Sequence, residues 1–152
     1  MKPLKEFDEF LVIGTVKKQA SDKSRAKFLI REAELSFEGL NERIEKISIN
    51  NKNANSIIKD CYDIFMELVR AKMLLDGYNA SGQGAHEAEV SYMKKLNFNN
   101  NDIQFANQLR YFRNGMIYYG TILDEEYAKK VVEFLKKIYP KLKSLVQRKT
   151  SI

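Results

Sequence analysis

With 152 residues, 44% of them hydrophobic, the chain is long enough for one domain with a buried core and too short for two. Its longest apolar run near the start, Phe10 to Gly14, follows Lys5, Glu6, Asp8 and Glu9, a pattern that argues against a signal peptide or a membrane span and for a cytoplasmic protein. The formal charge of +6 is unevenly placed: from Lys129 onward eight basic residues face Glu133 alone, so the last segment can meet phosphates, an acidic protein or water.

Residues Pro3 to Lys18 read as a short extra helix. From Ser21 or Asp22, a good cap, Ala26, Leu29, Ile30, Ala33, Leu40, Ile44 and Ile47 recur at helical spacing, and the pattern ends before Asn50-Asn51-Lys52-Asn53. A second helix runs from about Ala54 to Asp76, with Ile57, Cys61, Ile64, Phe65, Leu68 and Leu75 on one side, and stops at Gly77. These two should pack antiparallel. Cys61, the only cysteine, can form neither an internal disulfide nor a cysteine-rich zinc site, and reads as a buried thiol.

Tyr78 to Gln83 reads as a flexible loop, Ala85 to Leu96 as a short helix, and Asn97 to Asn101 as its break. The next helix begins near Asp102, as its cap, and ends at Gly120. The last is capped by Asp124, carries Glu125 and Glu126 in its first turn, and presents Ala128, Val131, Val132, Leu135, Ile138, Tyr139, Leu142, Leu145 and Val146 as one stripe, with a bend expected at Pro140. No segment alternates apolar and polar residues long enough for a sheet. The expectation is all-α: one domain over 1–152, an up-and-down antiparallel bundle of four to five helices with its core at about 23–146 and residues 1–20 as an extension.

At about 100° per residue, Phe105, Leu109, Phe112, Met116 and Tyr119 share one stripe that should face the core, and Arg110, Asn114 and Tyr118 share the opposite one. Arg113 lies between them, beside a second apolar patch of Ile103, Ala106 and Ile117. A helix with two apolar sides is covered on both. The cover is either a loop or the N-terminal segment, or else a second copy facing the first across a cleft lined by Arg110, Arg113, Asn114 and Tyr118.

The run Arg113-Asn114-Gly115-Met116-Ile117-Tyr118 resembles the signature of the HEPN superfamily, which writes Arg, usually Asn, three variable residues and then His. The resemblance implies a helical bundle, a homodimer and, in active members, RNA cleavage without a metal, in which His handles the 2′-hydroxyl proton and Arg stabilises charge on phosphorus. Tyr118 stands in the place of that His. A phenol titrates near about 10 and an imidazole near about 6.5, so at neutral pH Tyr118 is a donor to phosphate rather than a base. The implied function is a degenerate, non-catalytic RNA- or partner-binding dimer of the toxin–antitoxin kind, with Arg113, Asn114 and Tyr118 as the altered motif and Arg110, Arg113, Lys129, Lys136 and Lys137 as phosphate contacts. The alternatives are a metal-independent endoribonuclease that uses Arg113 with Tyr118 or His86, and a protein-binding scaffold or antitoxin-like partner.

Family toxins paired with a small nucleotidyltransferase often carry an acceptor Tyr two residues after the His. Gly120 holds that position here, so such a partnership is expected by analogy alone. Gly82-Gln83-Gly84-Ala85-His86-Glu87-Ala88 looks like a recurrent approach to the signature helix. His86, the only histidine, either makes a hydrogen bond at its helix start or reaches the cleft as an auxiliary base. One histidine with scattered acids gives no metal-ligand spacing, Gly82-Gln83-Gly84 is too short for a nucleotide-binding loop, and no cofactor is expected.

Overall fold

The computed structural model describes residues 2–118 and 123–150, with side chains at 2–115 and 123–147. The elements in chain order are α1 (Phe7–Ile13), β1 (Val16–Lys18), α2 (Lys23–Ile47), α3 (Ala54–Asp76), β2 (Tyr78–Ala80), α4 (Ala85–Lys95), α5 (Asn100–Tyr118) and α6 (Glu125–Thr150). The all-α expectation holds, apart from one two-stranded sheet.

Local chemistry sets most boundaries. An Asp22 carboxylate oxygen accepts from the Arg25 amide at 3.0 Å and starts α2, Gly77 takes a left-handed φ of 88° and ends α3, and Asp124 accepts from the Tyr127 amide at 2.9 Å ahead of α6. Asp102 does not cap α5. Asn99 does, its side-chain oxygen accepting from the Asp102 amide at 2.8 Å, while Asp102 is buried within the first turn and receives Lys137 of α6 at 2.8 Å. The ammonium that holds this carboxylate comes from 35 residues away, and a local pattern contains no sign of it. The predicted stop at Gly120 lies outside the described residues. Pro140 sits within the continuous span of α6.

The Tyr78–Gln83 expectation is corrected as well. Tyr78–Ala80 is β2, antiparallel to β1 with Val16 opposite Ala80 and Lys18 opposite Tyr78. Three-residue strands are too short to display a period of two, and their partner lies some sixty residues away in sequence. The same pairing makes the N-terminus part of the core rather than an extension. Phe7, Phe10 and Val16 are buried, and the Phe7 ring meets Tyr78 and Tyr92 with centroids 5.2 and 4.7 Å apart.

Contacts give the helix directions. The Asp22 amide donates to the Leu74 carbonyl and Arg43 pairs with Asp60, so α2 and α3 are antiparallel. Glu34 pairs with Lys143 and Phe37 stacks on Tyr139, which sets α6 against α2; Asp102–Lys137 and Gln108–Tyr127 set α5 against α6. Thus α2, α3, α5 and α6 alternate in direction. The helix α3 packs against α2, α4, α5 and α6, and is buried almost all round rather than on one side, as Ile58, Tyr62, Met66, Val69, Met73 and Leu74 join the expected stripe. Burial and the nearby Asp60 carboxylate push the Cys61 thiol up to about 12, which leaves it an inert packing group. Ile47, expected inside, is 64% exposed at the end of α2.

The described part of the second apolar side of α5 is covered within the chain, and the Ile117 side chain lies outside the described residues. Ile103 and Ala106 are buried, with α4 alongside and residues 2–6 across from Ile103. A second copy is not needed to hide it. Among the described residues no helix is long and apolar enough to cross a membrane.

Candidate functional site

The C-terminal half of α5 faces the middle of α3 and the start of α4, and each contributes charge. Arg113 donates from Nε and Nη2 to the two Asp63 oxygens at 3.2 and 3.3 Å, and its third nitrogen, Nη1, is buried without a partner. Arg110, three residues earlier, donates from Nε to Asn107 Oδ1 at 2.9 Å and lies 4.7 Å from the centre of the Tyr111 ring. Asn114 is exposed. Tyr118 is the last residue of α5, and its side chain lies outside the described set.

On α4, His86 Nδ1 is 3.4 Å from Glu89 Oε1, and Glu89 also receives Arg70 Nε at 2.7 Å and Nη2 at 3.0 Å. Burial opposes ionisation of Glu89, but hydrogen bonds from His86 and Arg70 and their positive charge outweigh it, so its carboxyl stays below the ordinary range. Half-burial, opposed by Arg70, raises the Glu67 carboxyl one turn along α3.

Tyr62 joins the two ion pairs. Its hydroxyl is buried and unpartnered; burial first and then the Glu89 charge push its phenol well above the usual range, with Asp63 adding and Arg110 and Arg70 opposing. The phenol is therefore a potential donor and not a base. Around it the fold gathers Arg70, Arg110 and Arg113 with Asp63 and Glu89, and His86 stands at the edge with its side chain 66% exposed. Guanidinium forks match carboxylate or phosphate oxygens two at a time, and here Arg70 and Arg113 place theirs on Glu89 and Asp63.

The lysines of α6 stand elsewhere. Lys129 is held by Glu125 at 3.1 Å, and Lys137 is tied to Asp102, eleven residues or about 16 Å along α5 from Arg113. Lys136 is exposed and has no partner among the described residues. Sequence reasoning found Arg110, Arg113, Asn114 and His86 and missed Asp63, Arg70, Glu89 and Tyr62. A usable signal was present: Asp63, Glu67 and Arg70 recur at i, i+4, i+7 in an otherwise apolar helix. Among the described residues no group of three or more His, Cys, Asp or Glu side chains could hold a metal ion.

Comparison with known proteins gives no match to this chain, whether with family models, characterised proteins or solved structures.

Proposed function

We propose that the protein is a HEPN-like bundle with lapsed chemistry, which binds single-stranded RNA through the arginine-bearing half of α5. One observation carries this reading: Arg110 lies over the Tyr111 ring beside an exposed Asn114, one turn from the Arg113 fork that Asp63 holds in place. An oriented guanidinium contacts the backbone, and an arginine–tyrosine stack offers a face to an unpaired base. Binding rather than cutting follows from Tyr118 in the position of the activating histidine, and from His86 being engaged with Glu89. A homodimer joined across these helices belongs to the same reading on the strength of the motif, and a small nucleotidyltransferase partner by family analogy alone.

The test is retention of labelled single-stranded RNA in the presence of a chelator. The wild-type protein should retain RNA without cutting it, weakening steeply with salt, and Arg110→Ala should lower the salt slope by about one. Cleavage that disappears in Arg113→Ala would replace this reading with a metal-independent endoribonuclease using Arg113 with Tyr118 or His86. No retention even at low salt would favour a protein partner instead. That second reading has its own support in Phe28 and Leu35, two turns apart on α2 and 62% and 50% exposed.

A further inference from the structure

A cleft of about 450 Å³ opens between residues 2–6, α4 and the first half of α5. Its α5 wall is a ladder of carboxamides, Asn100, Gln104 and Asn107, spaced i, i+4, i+7 on one helix face. Leu4 and Ile103 supply apolar surface, and Lys2 stands at the mouth without a partner among the described residues. Asn107 is the informative member. It is 4% exposed, its oxygen is taken by Arg110 Nε, and its Nδ2 donates to no group among the described residues although the residue lines the cleft. That nitrogen is not among the buried unpartnered atoms, so water in the cleft can reach it and a group seated there could accept from it in water's place.

We propose that this cleft takes one base of a ribonucleotide, read at its edge by Asn100, Gln104 and Asn107. A carboxamide offers a donor and an acceptor side by side, which matches the edge of a base; a simple anion would need only cations, and a lipid only apolar surface. Leu4 and Ile103 can meet the flat face of the base, and Lys2 adds positive charge for its phosphate. The volume lies in the range of small-ligand sites. The Arg110–Asn107 hydrogen bond links the wall of the cleft to the arginine cluster one turn further along α5. The inference rests on the RNA-binding reading for its polymer, though not for its test.

The experiment is a titration of the full chain with the four ribonucleoside 5′-monophosphates and, separately, with inorganic phosphate, followed by nuclear magnetic resonance of the side-chain amides. Amide signals of Gln104 and Asn107 should move with at least one nucleotide and not with inorganic phosphate. Gln104→Leu, at an exposed position with no hydrogen bond to lose, should weaken that nucleotide about tenfold while the fold stays intact. Signals that stay still with all four nucleotides, or move equally with inorganic phosphate, would overturn the proposal. RNA retention without these shifts would end the cleft reading and leave the RNA-binding one; shifts without retention would do the reverse.

Discussion

Two arginine–carboxylate pairs flank Tyr62, and they are not alike. Arg70 grips Glu89 at 2.7 and 3.0 Å with the carboxylate side chain 4% exposed, whereas Arg113 holds Asp63 at 3.2 and 3.3 Å with that carboxylate 43% exposed and one guanidinium nitrogen left over. Desolvation separates them. The Glu89 carboxylate has lost its water and needs Arg70, whereas the Asp63 carboxylate keeps water on one side; the guanidiniums run the other way, Arg70 being 28% and Arg113 19% exposed. Within a single cluster the α3–α4 pair has the buried carboxylate and the α3–α5 pair the half-exposed one.

Removing Glu89 should have the largest effect. Glu89→Ala leaves Arg70 charged and poorly hydrated, and urea denaturation should show a loss of about 3 to 5 kcal/mol. A loss below about 1 kcal/mol would erase the contrast. The pH dependence has a definite sign. Because Glu89 titrates lower in the folded state than in the unfolded one, its contribution is present above the ordinary glutamate range near about 4.3 and disappears as pH falls through the lower folded value. Glu89→Gln should flatten that acid limb of the stability curve; an unchanged limb would move the acid sensitivity to another group.

Asp63→Asn sharpens the comparison from the other side. It should cost less than Glu89→Ala, on the order of 1 kcal/mol, because the Asp63 carboxylate is 43% exposed and the amide oxygen of Asn still accepts from Arg113, and it should leave RNA retention equal or stronger by loosening the hold on Arg113. Weaker retention would mean that Asp63 orients the fork rather than competing for it. The smallest effect is expected at Tyr62→Phe. A buried hydroxyl with no partner is a cost to folding, so its removal should be neutral or stabilising by up to about 1 kcal/mol. A clear destabilisation would show that this hydroxyl is satisfied in solution and belongs to the binding network.

The helix-level pattern was legible because its causes are local. Asp22, Gly77 and Asp124 act within one turn of themselves, and the stripes on α2, α3 and α6 repeat every three to four residues, so 3.6-residue periodicity and cap chemistry place these helices almost to the residue. Where the pattern failed, a distant partner was responsible. Lys137 holds Asp102 within the first turn of α5 while Asn99 takes the cap, the N-terminal chain turns Tyr78–Ala80 into a strand, and neighbours on all sides bury the flanks of α3 that an amphipathic reading leaves exposed.

The candidate site divides in the same way. Arg110, Arg113, Asn114 and His86 stand out in the sequence by residue type and position, and their presence there is all that the chain alone determined. Which carboxylate faces which guanidinium depends on contacts across 19 residues for Arg70–Glu89 and 50 for Arg113–Asp63. Only packing decides which of those pairs loses its water. Charge type is written residue by residue, but the strength of a charge pair is set by the solvent that the rest of the fold removes from it.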